Sequence, residues 1–171
     1  MVNLTELYEQ YKNRVYNLAL SYVQNNEEAE EITQDVFVAI HFALEKFEHK
    51  SEMSTWIYRI TINKSIDFIR YKNRKKRVDR ILSIFYPNST ELKYEVTEFN
   101  HPGVALEQKE ATQMLFAHIN QLPENQRTAL ILNKIEQKSH AEIATIMNLS
   151  HKAVESLIQR AKTKLYKNFK P

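Results

Sequence analysis

The stretch SHAEIATIMNLSHKAVESLIQRAKTKLYKNFK, running from Ser139 to Lys170, decides how this chain folds. Ser139 followed three residues later by Glu142 is the pattern of a capping box, in which each side chain satisfies a free N–H of the other's backbone. Ile143, Ala144 and Met147 then share one side of a short helix. Asn148-Leu149-Ser150 interrupts it: Asn accepts the left-handed conformation of a tight turn, and Ser150 can cap a new helix. That second helix carries Val154, Leu157, Ile158, Ala161 and Leu165 on its apolar stripe and ends in lysines. Two short helices, a three-residue turn and a basic second helix predict a helix-turn-helix, whose ligand is duplex DNA.

Outward from this stretch, composition points the same way. A length of 171 residues supports one or two small domains, each with its own core. Gly103 is the only glycine and there are four prolines, while helix-favouring residues dominate, so the predicted fold class is all-α. No cysteine is present, which excludes a disulfide framework or thiolate metal site and suits a reducing, cytoplasmic setting. No segment reads as a signal peptide or membrane span. No phosphate-binding glycine loop, hydrolase serine elbow or paired-histidine motif occurs, so neither an enzyme nor a metal or cofactor site is expected.

The net charge of +3 conceals strong segregation. Residues 1–58 carry −6, residues 59–80 carry +7, residues 81–150 carry −3 and residues 151–171 carry +5. Two basic islands separated by acidic protein suggest two contacts with nucleic acid.

Helical spacing organises the rest. Leu4, Leu7, Tyr8, Tyr11, Val15, Leu18 and Tyr22 define a first helix opening near Asn3; Asn25 or Asn26 caps a second, with Ala29, Ile32, Val36, Ile40 and Leu44 inward. Phe47 to Ser54 reads as irregular. A third helix begins near Thr55, passes Arg70 and extends as far as Ile84 before Pro87 breaks it. Residues 87–104 read as a linker between domains 1–86 and 105–171. Helices over 105–120 and after Pro123 complete the second domain, the latter burying Ala129, Leu130, Leu132 and Ile135.

Three surfaces carry candidate chemistry. In the last helix His151, Lys152, Glu155, Ser156, Gln159 and Arg160 are placed to meet base edges, where Arg pairs with guanine, Gln with adenine and Glu with cytosine N4. Lys162, Lys164 and Lys167 are placed for phosphates. In the third helix Trp56, Ile60, Asn63, Asp67 and Arg70 share a stripe, with Arg59, Lys64, Lys72 and Arg74 to Arg77 around it, a combination suited to stacking and tracking single-stranded nucleic acid. Trp56 read alone fits a core residue better. On the second helix Glu27, Glu28, Glu30, Glu31, Gln34 and Asp35 face outward; they read either as solvated surface or, with Phe37 and His41, as a dock for a basic protein.

With those motifs assembled, the chain resembles the extracytoplasmic-function sigma factors of bacterial RNA polymerase. EAEEITQDVF at Glu28–Phe37 and STWIYRITIN at Ser54–Asn63, with Asp67 and Arg70, are similar to the family's second region. LPENQR at Leu122–Arg127, Glu142 with Ala144, and Ser150, Ala153, Val154 and Ser156 with Arg160 and Lys162 are similar to its fourth. The resemblance implies that Glu31, Gln34, Asp35 and Phe37 bind the coiled coil of the largest subunit of core RNA polymerase. It implies that Phe47, Met53, Trp56, Asn63, Lys64, Asp67, Arg70 and Arg74 open the promoter −10 element and hold a flipped base, whose unstacking the pocket must offset. His151, Lys152, Glu155, Ser156, Gln159, Arg160, Lys162 and Lys164 would then read the −35 element. Glu155 and Leu157 depart from the basic residues frequent in the family, so Glu155 is expected to read a cytosine. An anti-sigma protein is the further partner implied, with no small-molecule substrate and no membrane insertion of the chain itself. The competing readings are a stand-alone helix-turn-helix regulator, which would bind an operator as a symmetric dimer, and a helical adaptor without a DNA role.

Overall fold

The computed structural model describes residues 3–48, 51–85 and 109–169. All regular structure among them is helical. The expected linker 87–104, Pro87 included, lies outside the described residues, as does the 105–108 start of the fourth predicted helix.

Helix α1, Leu4–Val23, opens where Asn3 accepts the Thr5 N–H at 3.0 Å and closes at Gln24, whose left-handed backbone (φ 51°) lets its N–H return to Leu20 O. Asn25, not Asn26, caps α2 (Asn26–Ala43), accepting the Glu28 N–H at 2.9 Å. A 3-10 turn at Leu44–Lys46, which periodicity does not signal, leads toward α3. Helix α3 runs Met53–Phe85, starting two residues earlier than its spacing predicts and therefore taking Met53 out of the preceding loop. The second set comprises α4 (Lys109–Ile119), α5 (Glu124–Lys134), α6 (His140–Met147) and α7 (His151–Phe169).

Helices α1, α2 and α3 pack mutually around Leu7, Val15, Leu18, Tyr22, Ala29, Ile32, Val36, Ile40 and Ile57, all at most 4% exposed. Each fully buried Ile or Leu contributes about 1.5–3 kcal/mol relative to leaving it in water. The buried polar residues of α3 are internally satisfied: Thr61 and Ser65 each donate to the carbonyl four residues back at 2.8 Å. The second core gathers Phe116, Ile119 and Leu122 with Ala129 to Leu132, Ile143, Ile146, Val154, Ile158 and Ala161. Every residue of α5 from Arg127 to Leu132 is buried, so this helix is covered on all sides; Ile135, expected inside, is half-buried at its end. The reason is that α5 has neighbours on two flanks. Helices α6 and α7 cover one, and the α1–α3 bundle approaches the other.

A set of long-range bonds joins the two modules along that second flank. Buried Tyr22 donates its hydroxyl to Thr128 Oγ1 at 2.8 Å, and Tyr58 donates to Glu136 Oε2 at 2.8 Å. Arg59 donates from Nε to Ile146 O at 3.0 Å and from Nη2 to Thr145 O at 2.6 Å. These are carbonyls at the end of α6, the negative pole of that helix. Arg70 binds Glu124 through two parallel bonds of 3.0 and 2.7 Å, and Asn120 donates to Gln24 at 2.6 Å.

Candidate nucleic-acid and polymerase interfaces

The helix-turn-helix forms from its own local sequence. Ser139 Oγ accepts the Glu142 N–H at 3.2 Å while Glu142 Oε2 accepts the Ser139 N–H at 2.8 Å, closing the predicted capping box. The Ser139 backbone N–H, ahead of Lys138 and the Ser139 hydroxyl, holds the Glu142 carboxyl down at about 2. Asn148 turns the chain with φ 53°, and its N–H meets the carbonyls of Ala144 and Thr145. Gln137 takes the same left-handed region, φ 54°, where α5 gives way to α6. Ser150 then accepts the Ala153 N–H at 3.2 Å and starts α7.

Val154, Ile158 and Ala161 anchor the inner face of α7, and this fixes what faces out. His151, Lys152, Glu155, Gln159, Arg160 and Lys164 are exposed and Ser156 is half-exposed, so seven of the eight residues expected on DNA are brought to the outer side. Gln159, Arg160, Thr163, Lys164 and Lys167 line a shallow concavity there. Lys162 departs from the expectation. It sits next to fully buried Ala161 and lines an apolar groove with Leu115, Phe116 and Leu165, where its stem covers hydrocarbon.

On α3 the buried stripe is Ile57, Tyr58, Thr61, Ile62 and Ser65. The stripe of Trp56, Asn63, Asp67, Arg70 and Arg74 therefore lies to one side of the core, with Asn63, Asp67, Arg70 and Arg74 exposed and Lys64 half-buried. Trp56 is not deep core. It is half-buried and packs on Phe47, ring centroids 4.8 Å apart and planes tilted by 37°. Met53, also half-buried, is in the first turn of the same helix. Phe47, Met53 and Trp56 thus stand together at the start of α3, and Asn63 to Arg74 continue from them as a polar, cationic run.

What sequence reasoning missed is that part of this run already has a partner. Arg70 is held by Glu124, with Asp67 3.6 Å away, and Asn63 lines a cleft with Arg59, Thr128, Met147 and Asn148. The pairing raises the Arg70 guanidinium and lowers the Glu124 carboxyl. Tyr58, Arg59, Glu124, Thr128 and Glu136 carry the contact. Tyr58, Arg59, Glu124 and Thr128 lie on helices and Glu136 just beyond the end of α5; the helical spacing of each segment is satisfied locally, so it carries no sign of a partner in the other module.

Of the residues expected to meet polymerase, Glu31, Gln34 and Asp35 form an exposed row on α2. Phe37 does not join it: it is 8% exposed and meets Tyr8 edge-on at 4.8 Å. It follows buried Val36 on the wide apolar face that wedges against α1. The apolar exposure of this surface comes instead from Val38 and Phe42, 54% and 75% exposed. Glu28, expected outward, is half-buried and paired with Lys72.

Among the described residues no His, Asp and Glu cluster is arranged to hold a metal ion, and no helix is long and apolar enough to cross a membrane.

Comparison with known proteins follows the same division. The Sigma-70 region 2 model matches residues 7–75, and the Sigma-70 region 4 model matches residues 113–165. The chain is 30% identical to the ECF RNA polymerase sigma factor SigW of Bacillus subtilis over 94% of its length and 85% of that protein. It is 26% identical to SigM of the same organism, covering 96% and 93%. The solved sigma factor RpoE of Bartonella quintana, in complex with the anti-sigma factor NepR, shares its fold at 19% identity and a TM-score of 0.68, over 95% of this chain and 94% of that one. Two region matches in order, a relative similar across nearly the whole length and a shared helical architecture make the chain a member of the extracytoplasmic-function group of sigma-70 RNA polymerase sigma factors.

Proposed function

We propose that residues 1–86 hold core RNA polymerase and melt the −10 element, that 105–171 read the −35 element, and that 87–104 link the two. The chain is an alternative sigma factor that directs promoter-specific initiation, a role in DNA binding and assembly and not in catalysis. The observation that carries the residue assignments is the outward row of α7, which leaves Lys152, Glu155, Gln159 and Arg160 free of the module's core. In a major groove their donors and acceptors select bases, while Lys164 and Lys167 neutralise phosphates. On α3, Phe47 and Trp56 supply ring faces and Asn63 to Arg74 the polar track for the separated strand. Glu31, Gln34 and Asp35 present the carboxylate and amide row for a basic partner surface, with Val38 and Phe42 as its apolar margin. By analogy with RpoE of Bartonella quintana, an anti-sigma protein is the regulatory partner. The site of action is the cytoplasm, where the chain would meet core polymerase and promoter DNA.

This reading requires the modules to separate. The two promoter elements lie some 25 base pairs apart, about 85 Å along B-form DNA. Arg70 of one module lies 2.7 Å from Glu124 of the other. The 23 residues between Phe85 and Lys109 can reach about 80 Å at full extension.

Affinity capture with bacterial core polymerase, followed by run-off transcription on genomic fragments, tests the proposal. Stable holoenzyme and discrete start sites are expected. Tight binding of an operator by the chain alone as a symmetric dimer, with no polymerase-dependent transcript, would replace it with the stand-alone regulator. Asp35→Lys should cut polymerase capture and leave the helical spectrum intact; normal capture would remove Asp35 from the interface.

A further inference from the structure

Where the modules meet, a polar cleft of about 400 Å³ is lined by Arg70, Lys72 and Lys76 of α3, Glu28 of α2, and Glu124 and Arg127 of α5. Four cations and two carboxylates therefore line it. Arg70 is matched by Glu124 and Lys72 by Glu28 Oε1. Arg127 is different. Its residue is 5% exposed, its guanidinium lies over the Tyr22 ring at 5.4 Å, and its buried Nε has no hydrogen-bond acceptor. An arginine does not escape the cost by losing its proton, and a buried charged donor left unsatisfied is among the more destabilising features a fold can hold. The second oxygen of Glu28, Oε2, which belongs to the same lining, is also buried and without a donor.

One ligand chemistry answers both orphans. We propose that this inter-module cleft binds a small phosphate-bearing anion, inorganic phosphate or diphosphate, that accepts from Arg127 and donates its own P–OH proton to Glu28. Guanidinium and phosphate oxygens match in geometry and charge. Inorganic phosphate near neutral pH retains a proton to give, because only its second ionisation lies close to neutrality and the last proton leaves far above it. Sulfate is fully ionised there and offers acceptors only, so it answers Arg127 and repels Glu28. A phosphate or diphosphate fits the cleft and contacts both modules at once, so it binds the docked arrangement in preference to the separated one. By reciprocity, whatever separates the modules weakens the anion. The site itself follows from the cleft alone. Its consequence for transcription rests on the proposed need for separation.

The test is calorimetric titration of the full chain, without polymerase or DNA, using phosphate, diphosphate and sulfate at matched ionic strength. Saturable binding of phosphate or diphosphate, about tenfold tighter than sulfate, is expected. Arg127→Gln should weaken it about tenfold, the loss of one charge-assisted bond, and Glu28→Gln should narrow the preference over sulfate. Because Arg127 is buried and its replacement can unfold the module, Lys76→Gln at the rim provides the second variant, with weaker binding at an unchanged melting temperature. Lys164→Ala, on the DNA face, should bind as wild type. Equal binding of sulfate and phosphate, binding indifferent to both Arg127 and Lys76, or binding lost in Lys164→Ala would each overturn the site. So would a loss of promoter affinity in Arg127→Gln without any small-anion binding, since that would make a DNA phosphate the partner. None of the titration readings depends on whether the chain initiates transcription.

Discussion

In the α4–α7 module the cationic helix comes last and is packed on one side only, so the residues opposite Val154, Ile158 and Ala161 meet solvent. In the α1–α3 bundle the cationic helix is also a central packing element. It is buried by α1 and α2 along one face and approached by the other module along a second, where Arg59 and Arg70 are engaged and Asn63 lines the cleft between the modules. Two helices of similar charge thus differ in availability. The terminal one is presented by its own fold, whereas the other becomes fully available only when a neighbour leaves. Burial on one side is a local property of a helix; burial on two is a property of the assembly.

The largest test of that contrast is thermodynamic. Ile143→Ala removes a fully buried side chain from the second core and should cost about 2–5 kcal/mol. The expected urea profile shows α4–α7 melting early and α1–α3 melting at its wild-type midpoint. A single transition lowered as a whole would mean that the Tyr22–Thr128 and Arg70–Glu124 contacts couple the modules into one cooperative unit.

Arg160→Ala addresses the open helix. Loss of a bidentate base contact should cost about 1–3 kcal/mol of −35 affinity and relax selectivity at one base pair; a base-substitution scan with the pattern unchanged would relegate Arg160 to a phosphate contact. Trp56→Ala addresses the helix that is partly covered. Stacking of one base on an aromatic ring is worth about 1–3 kcal/mol, so promoter opening, followed by permanganate reactivity, should suffer more than initial binding. Equal losses together with a lower melting temperature would return Trp56 to a packing role on Phe47.

The smallest effects come with acid. The Glu142 carboxyl is held down at about 2, chiefly by the Ser139 N–H, and that of Glu124 is lowered, chiefly by Arg70. Both folded values lie below the unfolded one near 4.3, so each contribution is complete above that pH and disappears as pH falls through the folded value. Hydrogen exchange at the Ser139 amide should accelerate only toward pH 2, while the module contact made by Glu124 should weaken as pH falls below the unfolded carboxyl value. Both groups are substantially exposed, so added salt should shrink the second effect. Loss of the Ser139 protection already at pH 4 would contradict the capping geometry.

Much of this was legible in the residues. Asn3, Ser139, Asn148 and Ser150 mark helix ends by hydrogen bonds that reach two to four residues, and such bonds follow from local sequence. The apolar stripes of α1, α2 and α7 are likewise periodic, and so Lys152, Gln159 and Arg160 could be placed outward without coordinates. Phe37 and Lys162 could not be placed correctly, because each sits at the margin of a stripe where the width of the buried face depends on the neighbouring helix. Trp56 was ambiguous for the same reason, and it lies between the two readings, half-buried and packed on Phe47.

Sequence by itself determined the all-helical class, the caps and turn of the helix-turn-helix, the segregation of charge and the resemblance to sigma factors, since each rests on residues within a few turns of one another. Only the tertiary structure decided which flank of α5 is covered, that Arg59 closes the end of α6, that Arg70 answers Glu124, and that the buried Nε of Arg127 is left without an acceptor. Those contacts join residues 54 to 106 positions apart, and no periodicity encodes a pairing at that distance. Shape and charge settle it when the two modules meet.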